Sequence, residues 1–249
     1  MRVSFTLGFT AAALLLLAAC GGNPPDPAGS TAPPPPRDER NAALREVGVD
    51  VPARGKFVVV NIPSFELIAF ENGTPVLRSR VVVGRKATPT PELATAIAAV
   101  KFNPSWTPTP AMVRWEGARF MPPGPHNPLG RVLFELDNDQ LIFMHDTNDR
   151  SYFDKASRAF SHGCVRVEQA RELAAWALDM TRPEIDAAIA AGATRRVPLA
   201  AEIPTRLVYR TRFPDAAGRL VDHPDVYGRG TVAQAAGGHE GAEHCSAAL

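Results

Sequence analysis

Apolar positions come in short bursts along the first two thirds of the chain, and each burst is closed by a turn-forming residue. Phe57-Val58-Val59-Val60-Asn61-Ile62 is apolar and β-branched and lies between Gly55 and Pro63, which predicts a strand. Ser64 to Glu71 predicts a second strand and Asn72-Gly73 a hairpin turn. Val76 to Val83 follows as the next strand, closed by Gly84. Ala96 to Phe102 and Leu133 to Leu136 also read as strands, and Gln140 to Met144 runs straight into His145. Between them, Thr107 to Pro128 is rich in proline and reads as a loop, with Asn127 and Gly130 needed for its fold. The pattern predicts a mainly β fold with short helices (α+β), a sandwich or barrel rather than a parallel βαβ sheet.

Helical spacing appears only later. Ala170, Leu173, Ala174, Ala177 and Leu178 share one face, with Glu168 placed for an acidic first turn. Pro183 to Ala191 predicts a second short helix ended by Gly192, and strand character resumes from Arg206 to Phe213. Arg37 to Val47 allows a short helix or a loosely ordered segment. No internal repeat is present.

The two ends differ in composition from the middle. Met1-Arg2 precedes an apolar run from Leu7 to Ala19, about thirteen residues and so shorter than the roughly twenty that span a bilayer. Leu17-Ala18-Ala19-Cys20-Gly21 resembles a bacterial lipobox, which implies a leader at 1–19, cleavage before Cys20 and lipid on its thiol. The expected location is periplasmic, held by lipid to a bacterial membrane. Gly21, where a retention signal would carry aspartate, favours the outer membrane. Asn23 to Pro36, ending in Pro33-Pro34-Pro35-Pro36, suits an extended tether within a 20–55 segment. Residues 230–249 have little apolar bulk and predict a disordered tail, which carries Cys245. A net charge of +1 argues against a nucleic-acid partner.

Chemistry concentrates in Ser161-His162-Gly163-Cys164-Val165-Arg166, preceded by His145. A cysteine becomes a nucleophile when a nearby base or cation favours its thiolate, and two histidines lie within reach if the chain folds back. Gly163 lets the backbone approach a bound carbonyl, so the N–H groups of Gly163 and Cys164 could face a developing oxyanion. The combination points to acyl transfer through a thioester. His145, His162 and Cys164 are also zinc-ligand types, but the spacing fits no usual zinc pattern and no fourth ligand is evident. No nucleotide or calcium-loop motif is present, and no cofactor is expected.

His145-Asp146-Thr147 and Arg158-Ala159-Phe160-Ser161-His162-Gly163-Cys164-Val165-Arg166-Val167, with residues 146–160 as spacer, closely resemble the signature of the L,D-transpeptidases with a YkuD-type catalytic domain. The likeness extends to Val59-Val60-Asn61-Ile62-Pro63, to Val83-Gly84-Arg85 with Thr90-Pro91, and to Gly124-Pro125-His126-Asn127-Pro128-Leu129-Gly130. Asp225-Val226-Tyr227-Gly228-Arg229 resembles the end of the larger periplasmic members, so the resemblance spans roughly 56–229.

The resemblance implies a YkuD-type β-sandwich or barrel with a helix after the cysteine, and a catalytic domain at 56–229. Cys164 would be the nucleophile and His145 the base, its ring oriented by the Asp146 carbonyl. His162 and Gly163 would shape the oxyanion loop, and Ser161 would hold that loop. Arg166 would grip a substrate carboxylate. Phe143, Trp106 and Trp115 are candidates to line the groove, with core packing the favoured place for Trp115. Donor and acceptor would be peptidoglycan stem peptides, joined without ATP or metal. The alternatives are a carboxypeptidase or crosslink hydrolase on the same fold, or a wall-binding lipoprotein without turnover.

Overall fold

A computed structural model of the chain describes residues 37–230. The leader, Cys20, the proline run and Cys245 lie outside the described residues.

Helix α1 (Arg37–Glu46) comes first, followed by strands β1 (Lys56–Asn61), β2 (Glu66–Glu71), β3 (Thr74–Gly84) and β4 (Leu93–Phe102). Asn72 and Gly73 both have positive φ, 49° and 73°, the backbone of a tight two-residue hairpin between β2 and β3. Helix α2 (Pro110–Glu116) precedes β5 (Val132–Leu136) and β6 (Phe143–His145). Two three-residue strands, β7 (Ala159–Ser161) and β8 (Val165–Val167), flank the predicted nucleophile. Helices α3 (Ala170–Leu178) and α4 (Arg182–Ala190) lead to β9 (Arg195–Val208), and a small hairpin of β10 (Arg212–Pro214) and β11 (Leu220–Asp222) follows.

The strands run in the order β2-β1-β9-β4-β5-β6-β8-β3, and β3 pairs again with β2. Eight strands therefore close on themselves, which removes exposed sheet edges. β7 is an addition on the last two residues of β3. The ring is mixed: β1–β9 and β6–β8 are parallel and the other ring pairings antiparallel. The fold is thus the expected mainly β class, in its barrel form.

Alternation decides what fills it. Val58 and Val60, Leu67 and Ala69, Val81 and Val83, Phe134, Met144, Val165 and Leu207 form one buried core. Ala170, Leu173 and Ala174 of α3 and Ile185 of α4 join that core, which is why the helical stripe was legible in the sequence. Phe57 and Val59, on the opposite face of β1, pack in a second cluster with Ile68, Phe70, Leu44, Val49 and Phe213. A strand buried on both faces reads as a continuous apolar run, the pattern of residues 57–60.

Three elements depart from the sequence expectation. Leu44 and Val49 are buried against the barrel, so part of the segment expected as tether belongs to the folded body. The 107–128 loop contains α2, with Thr109 as N-cap accepting from the Met112 N–H, Pro110 in the first turn and Gly117 as a left-handed C-cap. β9 begins at Arg195, eleven residues before the predicted start, because Pro198 and Pro204 mask a strand that β4 pairs along most of its length. In addition, Glu168 lies outside α3 and pairs with Arg80, while Glu172 occupies that helix's first turn.

Candidate active site

Register between two short strands brings the predicted residues together. β6 and β8 run parallel, with Met144 opposite Val165 and His145 opposite Arg166. Met144 and Val165 point into the barrel core. By alternation Phe143, His145, Cys164 and Arg166 all face outward. Cys164, just before β8, and His145 are therefore diagonal neighbours on that face.

Cys164 is buried to 2% exposure and packs with Leu129 and Leu133, against Trp106 and Phe143. The Phe143 N–H donates to its sulfur at 3.4 Å, and the Leu141 carbonyl oxygen lies 3.8 Å away. An N–H dipole aimed at sulfur complements negative charge there. Trp106 is held by a two-way bridge to Met121, its N–H donating to the Met121 carbonyl and its carbonyl accepting in return. Phe143 and Trp106 therefore wall the thiol.

His145 is buried, and its Nδ1 lies 2.5 Å from the Asp146 carbonyl oxygen. A carbonyl only accepts, so Nδ1 carries the proton and Nε2 keeps its lone pair. Burial pushes the ring down to about 3, with the Arg166 charge adding to the effect and the Asp146 and Leu129 backbone opposing it. His145 is thus neutral at any ordinary pH. The Asp146 carboxylate is engaged elsewhere, its Oδ2 accepting the Arg131 N–H at 3.0 Å. An aspartate-assisted ring is therefore not the arrangement here.

The loop 161–164 is tied down internally. Ser161 Oγ donates to the Cys164 carbonyl at 2.5 Å and accepts the Gly163 N–H at 3.1 Å. This corrects one expectation: the Gly163 N–H is taken by Ser161 rather than directed at a substrate. Gly163 still has to be glycine, since its φ is +118°. Arg166 is half-buried, with its guanidinium 5.0 Å from the centre of the Tyr152 ring.

His162 pairs with the end of α2. Its Nε2 donates to Glu116 Oε1 at 2.8 Å, and Arg85 holds the same carboxylate at 3.1 Å. The His162 hydrogen bond, with smaller help from Arg85 and against the opposing effect of burial, keeps the Glu116 carboxyl below its usual range. Glu116 is the last residue of α2, so His162 connects the 161–164 loop to the proline-rich 107–128 segment. Sequence reasoning missed this role, for which the helix signal Thr109-Pro110 to Gly117 was the available cue. Asn127 staples the same segment, donating to the carbonyls of Pro104, Met121 and Pro122 at 2.9, 3.3 and 3.1 Å. Trp115 corrects a further expectation. It is 79% exposed on α2, because a seven-residue helix with only Met112 buried has no second apolar face to cover.

An open polar cavity of about 310 Å³ lies beside Asp146, bordered by Arg131, Arg150, Glu168, Glu172 and Arg182. Neither Cys164 nor His145 lines it.

A family model described as the YkuD L,D-transpeptidase catalytic domain matches residues 55–188, more than half of the chain. A Haemophilus influenzae protein named "Putative L,D-transpeptidase" is 27% identical over 215 residues, which cover 69% of this chain and 44% of that protein. The chain thus spans less than half of that relative's length. Among solved structures, an L,D-transpeptidase from Mycobacterium smegmatis has 16% identity and a TM-score of 0.38, covering 61% of this chain and 58% of its own. One from Stackebrandtia nassauensis has 16% identity and a TM-score of 0.40, covering 69% and 64%. With the family model matched from β1 through α3, including the 161–164 loop, the chain belongs to the L,D-transpeptidase family with a YkuD catalytic domain.

Proposed function

We propose that the protein is a peptidoglycan L,D-transpeptidase that works through a thioester on Cys164. The observation that carries this reading is the placement of Cys164 and a neutral, tautomer-fixed His145 on one face of two paired strands. In the first step His145 Nε2 takes the Cys164 proton and Sγ bonds to the carbonyl carbon of the third residue of a tetrapeptide stem. The Cys164 N–H, at the nucleophile itself, faces the oxyanion. The C–N bond then breaks, and the protonated imidazole returns its proton to the departing D-amino acid. An amine from a second stem attacks the thioester in turn, His145 takes that amine's proton, and the C–S bond breaks to restore Cys164.

Supporting residues follow from position. Arg166, beside His145 in register, is the proposed grip on a stem carboxylate. Phe143 and Trp106, packed against the thiol, are the proposed groove walls. The donor is a stem ending in a D-amino acid, and the acceptor an amine of a second stem or a protein. Incubating the purified protein with tetrapeptide muropeptides tests this: crosslinked dimers from wild type and none from Cys164→Ala are expected. Tripeptides without dimers would replace transfer by hydrolysis, and activity retained in Cys164→Ala would overturn the covalent route.

We also infer a lipid anchor on Cys20, supported by Leu17-Ala18-Ala19-Cys20, with 20–36 as its spacer and 230–249 as a tail. No helix among the described residues is long and apolar enough to cross a membrane. Cys20→Ala should move the protein from the detergent phase to the aqueous phase in a phase-separation experiment.

A further inference from the structure

The residues around Cys164 are gripped from outside their own loop. β7 and β8 both pair with β3, so the chain from Ser161 to Cys164 crosses the end of β3 at Gly84. The turn that follows, Arg85 to Thr90, holds the two carbonyls on either side of His162. The Arg85 N–H and Thr88 Oγ1 donate to the Ser161 carbonyl at 2.9 and 3.2 Å, and Thr90 Oγ1 donates to the Gly163 carbonyl at 2.6 Å. Thr90 Oγ1 also accepts the Gly84 N–H at 2.8 Å. The turn is drawn so tight that a Cβ on Gly84 would lie 2.1 Å from the Thr88 oxygen.

This turn is in turn closed by residues far along the chain. The Tyr227 hydroxyl donates to the Gly84 carbonyl at 2.8 Å and accepts the Thr90 N–H at 3.1 Å, so it spans the turn's two ends. Tyr227 is buried and stacked on Tyr209 at 5.3 Å between ring centres. Its N–H donates to the Tyr209 hydroxyl, which donates to Asp225 Oδ1 at 2.5 Å. The Asp225 carboxylate also accepts the N–H groups of Arg229 and Gly230, and the Arg229 guanidinium covers both rings at 4.7 and 5.3 Å. The segment 225–229 lies beyond the family match, which ends at 188.

We propose that Asp225-Val226-Tyr227-Gly228-Arg229 is a latch that positions the nucleophile, acting through the Tyr227 hydroxyl and Thr90 on the Gly163 carbonyl. Tyr227 and Thr90 are positioning residues: neither touches the reacting atoms, and both set where the peptide bearing Cys164 lies. The physical reason is rigidity. A two-residue link between a carbonyl next to the nucleophile and a buried, stacked tyrosine removes the freedom of a glycine at φ +118°. The proposal rests on Cys164 being the nucleophile.

The test combines muropeptide kinetics with hydrogen exchange on the full chain, using Tyr227→Phe, which keeps the stacked ring, and Thr90→Val beside Thr90→Ser. Tyr227→Phe is expected to lower kcat about tenfold with KM within about twofold, since displacement of a catalytic group affects the chemical step. Amide exchange over 159–167 should speed up while Tm stays near wild type. Thr90→Ser should retain turnover that Thr90→Val loses, and Tyr227→Phe/Thr90→Val should be no worse than Thr90→Val alone, because both act along one link. A wild-type kcat in Tyr227→Phe, a loss confined to KM, or additive losses in the double variant would overturn the latch. If the wild type fails to form crosslinks, the assigned function falls and exchange alone decides. Faster exchange at 159–167 in Tyr227→Phe then upholds the latch, and unchanged exchange ends it.

Discussion

At the scale of single residues, His145 ties stability to pH. Its folded value is about 3 against 6.5 for an unperturbed histidine, because burial and Arg166 both disfavour the charged ring. Between these values the unfolded chain binds a proton that the folded chain excludes. Its contribution is therefore fully present above about 6.5 and is lost as pH falls toward 3, with a slope approaching about 1.4 kcal/mol per pH unit. His145→Gln removes this dependence. Denaturation at a series of pH values from about 7 to 4 should show wild type losing stability relative to the variant as pH falls; parallel curves would contradict it. In muropeptide assays His145→Gln should lower kcat by at least about a hundredfold, the usual worth of a positioned base. Arg166→Met removes a charge that depresses His145 and a proposed grip on carboxylate. KM should rise about tenfold or more, read from muropeptide titrations.

At the scale of elements, the 107–128 segment and the 85–90 turn carry the strongest expectations. α2 has one buried side chain and is connected to the 161–164 loop by Glu116, His162 and Arg85. These groups are partly exposed, so the cluster should contribute no more than about 1 kcal/mol to global stability. Its effect is local. Glu116→Ala should leave Tm nearly unchanged yet speed amide exchange across 107–128, and unchanged exchange there would show that the segment is held without the Glu116 contacts. Gly84→Ala is the opposite case. Its Cβ would collide with backbone of the 85–90 turn, which cannot swing aside as a flexible side chain can. A loss of about 2–3 kcal/mol or more in urea denaturation is expected.

At the scale of the whole molecule, the barrel and the α1 segment share buried surface. Leu44 is 3% exposed among Phe57, Ile68, Phe70 and Phe213. Leu44→Ala should cost about 2–4 kcal/mol in one cooperative unfolding transition, with kcat preserved at temperatures where the variant is folded. A separate early transition would mean that 37–55 folds apart from the barrel.

Much of this molecule was legible because neighbours in sequence are neighbours in its structure. Five strands, the Asn72-Gly73 hairpin and both later helices follow from local alternation, turn chemistry and one apolar stripe, which depend on residues a few positions apart. The cluster from Ser161 to Arg166 was equally plain, since a thiol, histidine, glycine and arginine together are poor core material. What sequence could not supply depends on contacts between distant segments. β7 and β8 are three residues each, too short for any period, and exist because β3 supplies their partners. β9 carries two prolines that argue against a strand until β4 and β1 are placed beside it. His162 looked like a partner for the thiol two residues away, but a turn in the chain aims it at Glu116, 46 positions earlier. The sequence by itself determined the chemical groups and the β character of the scaffold. Tertiary structure decided which groups face one another, because only the parallel register of β6 and β8 sets His145 beside Cys164 and only the return of Tyr227 closes the turn beneath it.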